Sequence, residues 1–171
     1  MNSSLQCLLC KKLLLPFCLL CFFGLIFITV NAQEKPPKPF VVTVSLSQHL
    51  SFGTFIPIGT AGTVTVTYEG FRSKTGDIIL PNIFSIVTPA LFIVEAHPGT
   101  LITIVTPDSQ LTGSNGGTIH LKLEAASTGS QFIVNSESTN VFIGGTLTIG
   151  SLAANPAGSY LGTFIVTFIQ Q

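Results

Sequence analysis

The chain has 171 residues, seven bases against seven acids, and only 8% charged residues. Without net charge or a basic patch it lacks the electrostatic footprint of a nucleic-acid binder, and it carries no polybasic or amphipathic-helix signal for a membrane surface. Many Thr, Ser, Gly, Ile, Val and Phe, with no Trp, describe a β protein whose solvent face is covered by hydroxyls rather than charges.

Residues 1–32 read as an export signal. Lys11 and Lys12 precede an apolar run from Leu13 to Val30, which closes on Val30-Asn31-Ala32. A charged start, an apolar centre and an A-x-A-like end mark a secretory signal peptide, with cleavage expected between Ala32 and Gln33. A lipoprotein signal would need a small residue before the modified cysteine, but Leu20 precedes Cys21 and Phe17 precedes Cys18. An uncleaved anchor is the other alternative, since the run is close to the roughly 17 residues at the low end for a membrane span. Pro16, Gly24 and the terminal triplet favour cleavage. Cys7, Cys10, Cys18 and Cys21 all precede the cleavage point. The exported chain is therefore expected to hold no disulfide, thiol nucleophile or thiolate ligand. Its destination is the periplasm, the cell surface or the medium, and it meets the membrane only through the signal segment.

Residues 33–39 form a short linker, in which Pro36, Pro37 and Pro39 favour polyproline II and the charges keep it in water. Residues 40–171 suffice for one domain. Val42, Val44 and Leu46 alternate with Thr43, Ser45 and Ser47, and Val64, Val66 and Tyr68 alternate with Thr63, Thr65 and Thr67. Ile119, Leu121 and Leu123 alternate with His120, Lys122 and Glu124, and Phe164, Val166 and Phe168 alternate with Thr163, Ile165, Thr167 and Ile169. Period-two alternation predicts strands with one face in a core. Shorter strands are predicted over 77–80, 90–95, 101–105, 131–134 and 146–149. Residues 71–76 read as a polar turn; further breaks are predicted at 97–99, 114–117, 144–145 and 155–158.

No stretch has sustained helical periodicity. About seven to ten short strands at this spacing predict an all-β, antiparallel immunoglobulin-like β-sandwich, with a jelly roll as the alternative.

The order of local words carries a family resemblance. Leu50-Ser51-Phe52-Gly53-Thr54-Phe55 is followed by Gly62-Thr63-Val64-Thr65-Val66, then Arg72-Ser73 and Thr75-Gly76-Asp77-Ile78-Ile79-Leu80, then Ala90-Leu91-Phe92-Ile93-Val94. Late in the chain come Gly144-Gly145-Thr146-Leu147-Thr148-Ile149 and Gly158-Ser159-Tyr160-Leu161-Gly162-Thr163-Phe164-Ile165-Val166-Thr167. From about Val41 to Ile169 the chain resembles the exported bacterial domains called domain of unknown function 4402. The Phe-Gly word and the closing strand are also similar to those of spore-coat-U-like and archaic pilin subunits, which typically carry cysteine pairs that this segment lacks. The resemblance implies an exported β-sandwich of surface or fimbria-like character and implies no catalytic residue.

Chemical templates mostly fail. The chain has no G-x-S-x-G, H-E-x-x-H, P-loop or G-x-G-x-x-G motif. His49, His97 and His120 are scattered, so no metal or cofactor is expected. Asp108, Ser109 and Asn115 could supply oxygens to calcium but form no D-x-D-x-D-G loop. Glu69, Arg72, Lys74 and Asp77 cluster as a candidate binding loop. The alternative is a solvated hairpin with weak surface ion pairs. A second candidate loop lies at 111–117.

These readings lead to a non-enzymatic, secreted or cell-surface structural or adhesive protein. The uncharged segments 40–47 and 162–171 can complete their own sandwich or add to a neighbour's sheet, with Val42, Val44 and Leu46 as the assembly strand. The expected partners are a second copy, an envelope protein or a glycan. The alternative function is a carbohydrate- or envelope-binding module using the sandwich loops, and a hydrolase ranks last.

Overall fold

Residues 39–45, 48–81 and 85–171 are described in the computed structural model. Ala32, Gln33, most of the 33–39 linker and Leu46 lie outside them. The described residues all belong to the unit Pro37–Gln171 and contain strands and turns but no helix.

The strands, in chain order, are β1 (Val41–Val44), β2 (Ser51–Phe52), β3 (Ile56–Val66), β4 (Arg72–Ile79), β5 (Val87–Thr88), β6 (Ala90–Glu95) and β7 (Leu101–Val105). They continue with β8 (Ser109–Gly113), β9 (Thr118–Leu123), β10 (Gln131–Ile133), β11 (Ser138–Ile143), β12 (Gly145–Ile149), β13 (Tyr160–Leu161) and β14 (Thr167–Gln170). One sheet has six strands in the order β13-β8-β9-β12-β3-β4. Two three-stranded sheets run β1-β6-β11 and β10-β7-β14, and β2 pairs with β5 in a short ribbon. Every pairing is antiparallel. The fold is a β-sandwich, as the alternation predicts.

The six-stranded sheet shows why. In β9, Ile119, Leu121 and Leu123 are buried while Thr118, His120 and Lys122 are exposed. Leu121 faces Leu147 of β12, and Leu147 faces Val64 of β3. Partners on one face of a pleat sit close enough to pack, so these residues make one aliphatic layer. Ala90, Phe92 and Val94 of β6, Val141 and Ile143 of β11 and Ile104 of β7 share a single buried cluster with that layer. The Phe92 and Phe168 rings meet at 5.5 Å and 53°, joining the two three-stranded sheets.

The outer face is a hydroxyl array. Thr63 and Thr75 hydroxyls lie 2.7 Å apart across β3 and β4. Thr146 donates to a Glu124 carboxylate oxygen at 2.6 Å, so the 2.8 Å contact between Thr65 and Thr146 is Thr65 donating to Thr146. This is how a sheet with so few charges keeps a wet face.

Several elements differ from the sequence expectation. The polar turn predicted over 71–76 is most of β4. The hairpin turn instead lies one step earlier, where Gly70 N–H donates to Thr67 O and Thr67 N–H to Phe71 O, both at 2.9 Å. β4 is an edge strand, and an edge leaves polar side chains in water even at inward positions, so its composition imitates a turn. β8 and β11 have no clear alternation in sequence and gain their place from pairing with β9 and β6. Tyr68, predicted inward, sits exposed in the hairpin turn. The closing strand is split: β13 pairs with β8, β14 pairs with β7, and 162–166 lie in neither ladder. The alternation survives the break, with Phe164, Val166 and Phe168 half-buried between exposed neighbours. One extended run thus passes from one sheet to another, as strands do at sandwich corners.

Asn155 is the buried polar side chain among the described residues. Its Oδ1 accepts from Gly150 N–H at 2.6 Å, and its Nδ2 donates to Thr118 O at 2.7 Å and Ala154 O at 3.1 Å. The amide therefore fixes the end of β12 to the start of β9. Nearby, the β8–β9 turn needs φ of +90° and +78° at Gly116 and Gly117, a region that costs L side chains strain. Asn155→Ala orphans main-chain groups at both strand ends and should destabilise the fold by about 2–3 kcal/mol, measured by denaturant unfolding.

Candidate functional site

The four residues of the expected binding loop do not share a loop. Glu69 is in the β3–β4 turn, whereas Arg72, Lys74 and Asp77 lie along β4. The register sets Arg72 opposite Val66 and Lys74 opposite Val64, so both cations stand on the inward face of the edge strand. Asp77 faces outward and lies beside the bulge, where 58–61 of β3 are accommodated between Pro57 and Gly62. Inward-pointing charge and a bulge both keep a sheet edge from pairing with another chain. This edge is therefore protected.

Arg72 has a further task. Its Nη1 donates to Phe52 O at 3.1 Å and Thr54 O at 3.0 Å, and its Nη2 donates to Pro81 O at 2.8 Å. A planar guanidinium is suited to several fixed acceptors at once. Arg72 gathers three carbonyls of two neighbouring segments and holds them against β4. Thr54 N–H is held in turn by Ser85 Oγ at 3.1 Å.

Sequence reasoning missed the aromatic side chains at this end. Phe71 is 68% exposed and Tyr68 41% exposed, flanking the exposed Glu69 at the hairpin tip. The signal was present in Tyr68-Glu69-Gly70-Phe71, a turn bracketed by two rings, but the alternation reading assigned Tyr68 to the core.

The assembly strand is β1. Val41, Val42, Thr43 and Val44 pair with Glu95, Val94, Ile93 and Phe92 of β6. Within the described chain β1 thus completes its own sheet and occupies its edge. Val42 packs against the core. Val44, expected on the same face, is 56% exposed, and Val41 is 44% exposed. Ser45 N–H continues the pairing to Leu91 O at 3.0 Å.

The remaining candidates stay apart or serve the fold. His120 Nε2 lies 3.3 Å from Asp108 Oδ2, a contact with both side chains largely in solvent. Thr88 Oγ1 donates to His49 O, and His97 Nδ1 contacts Pro98 O, each within 2.8 Å. Among the described residues no three His, Cys, Asp or Glu side chains gather where a metal could sit. In the 111–117 stretch, β8 and β9 leave only 114–117 as turn, and Asn115 Nδ2 donates to Ala157 O at 2.7 Å.

The family is decided by comparison. A family model described as "Domain of unknown function (DUF4402)" matches residues 42–169. The chain belongs to the DUF4402 family. The match runs from β1 through β14 and so spans the whole sandwich. No curated protein and no solved structure matches the chain.

Arg72→Ala should remove the clamp and destabilise the DUF4402 sandwich by about 2–4 kcal/mol. Lys74→Ala, with its side chain in solvent, should stay within about 0.5 kcal/mol of the wild type. Thermal or denaturant melts of the two variants check this contrast.

Proposed function

We propose that the protein is an exported, non-catalytic structural or adhesive β-sandwich that assembles by adding strands between copies. The observation that carries this reading is β1. It is uncharged, pairs with β6 on one side, and leaves Val41 and Val44 largely exposed. The edge β4, by contrast, carries inward Arg72 and Lys74 and a bulge. An unguarded edge is a template for another chain's main chain. The signal-like residues before Gln33 support an exported setting, and the hydroxyl-rich outer face suits one.

A second reading has its own support. Tyr68 and Phe71 offer two exposed rings around Glu69, and aromatic faces with a polar neighbour are suited to sugar rings. In that reading the β3–β4 tip binds a carbohydrate of the envelope, and Arg72 only holds the scaffold.

Light scattering after size exclusion tests the first reading. Wild type should show mass rising with concentration, and Val41→Lys with Val44→Lys should return it to monomer without lowering the melting temperature. A wild-type mass fixed at one chain across concentrations would overturn strand-mediated assembly. A glycan array with Tyr68→Ala and Phe71→Ala tests the second reading. Saturable binding lost in both variants is the expected result, and no binding by the wild type refutes it.

A further inference from the structure

An antiparallel edge strand offers another chain the main-chain groups of every second residue, because the others are spent on its own ladder. Which residues these are, and which face they share, follows from the hydrogen bonds at each edge. Among the described residues the three larger sheets end on β1 and β11, on β10 and β14, and on β13 and β4.

In β1, Ser45 N–H donates to Leu91 O, in step with the Val41–Glu95 and Thr43–Ile93 pairs. Val42 and Val44 therefore turn their N–H and C=O groups to the open edge. They pair with the buried Val94 and Phe92, so they belong to the core face. In β14, Gln171 N–H donates to Leu101 O at 3.0 Å, in step with the Thr167–Val105 and Ile169–Thr103 pairs. Phe168 and Gln170 therefore turn to the open edge. They too belong to the core face, opposite the buried Ile104 and Ile102.

The other edges do not match. In β10, Ile104 N–H donates to Ser130 O and Val134 N–H to Thr100 O. That leaves Gln131 and Ile133, which are exposed on the outer face. In β11, Ala96 N–H donates to Glu137 O, which leaves the outward Asn140 and Phe142. Ser127 already takes both main-chain groups of Phe142. Partners across an antiparallel pair share a face, so either edge would set its outer face beside the core face of β1 or β14. β4 offers the core-face cations Arg72 and Lys74, and β13 is two residues long.

We propose that β1 of one copy pairs antiparallel with β14 of the next, joining the β1-β6-β11 and β10-β7-β14 sheets of two copies into one. This rests on the strand-addition reading above and names the edge that receives β1. With Val42 against Phe168 of the next copy, Val41 meets Ile169 and Thr43 meets Thr167. Aromatic, β-branched and Thr–Thr pairs of this kind stabilise sheets. Ile169 is 43% exposed, as Val41 nearly is, so one contact covers branched side chains left open at both edges. Pairing of β1 with a second β1 also joins core faces, but it leaves Ile169 and the exposed Ile165 uncovered. Each copy has one edge of each kind. The contact is therefore head-to-tail and continues into a filament unless the rotation closes a ring.

Two edge variants, alone and mixed, test this by light scattering after size exclusion. Lysine on an edge strand opposes pairing. Val41→Lys with Val44→Lys blocks β1 and keeps β14, whereas Ile169→Lys blocks β14 and keeps β1. Each variant alone should be monomeric and melt as wild type does. Thr167→Lys, at an exposed position of the same edge, should behave as Ile169→Lys. An equimolar mixture of the β1 and β14 variants should form a dimer that grows no further with concentration, since only blocked edges remain. Self-association of Ile169→Lys and Thr167→Lys as in wild type, with the β1 variant monomeric, would overturn the β14 assignment and leave strand addition through β1 standing. A mixture that stays monomeric would overturn the assignment too. A wild type that is monomeric at every concentration would overturn both readings.

Discussion

The pleat of two central strands sets the rest of this sandwich. In β9 and β12 the inward positions hold Ile119, Leu121, Leu123, Leu147 and Ile149 with almost no exposure, and these side chains form one face. A one-residue slip in either strand would exchange Ile119 and Leu121 for Thr118, His120 and Lys122. Register is therefore fixed from the centre outward. β3 and β8 inherit it by pairing with β12 and β9, and the two three-stranded sheets close over the same face, one through Phe92, Val94, Val141 and Ile143 and the other through Ile104. Burial at roughly 25 cal/mol per Å² makes such a layer the main favourable term.

What the aliphatic layer cannot do is satisfy main-chain groups where strands end. Three side chains take over that task. Asn155 closes the gap between β12 and β9, Arg72 collects carbonyls beside β4, and Tyr160 reaches back four residues to Pro156 in the manner of a tyrosine corner. Among the described residues no side-chain N or O atom is buried without a partner. A chain with so few ionisable groups thus relies on neutral amides, hydroxyls and one guanidinium for the geometry of its turns.

Much of the fold was legible where burial on one face imposes period two. β6, β7, β9 and β12 follow their alternation or apolar content closely. β4 was not legible as far as Gly76, because an edge strand with solvent on both sides is under no such constraint, and Arg72-Ser73-Lys74-Thr75-Gly76 has the composition of a turn. β8 and β11 owe their existence to long-range partners, which no local window contains. The candidate site was legible only in part. The sequence marks β1 as uncharged, but that Val44 turns to solvent depends on β6. Arg72 was read with Glu69, Lys74 and Asp77 as one polar cluster, yet its three acceptors are the carbonyls of Phe52, Thr54 and Pro81, which lie outside that cluster.

The passage of one run from β8 to β7 also bears on timing. Residues 160–170 supply the edge of the six-stranded sheet and a flanking strand of another, and both partners, β8 and β7, precede them by dozens of residues. During synthesis neither sheet can be finished until this run has left the ribosome. Until then the aliphatic layer has part of its cover missing, so the chain is held open by its own connectivity. Long-range closure of this kind is slow in any case. The strand order alone thus delays closure of the sandwich until residues 160–170 are available.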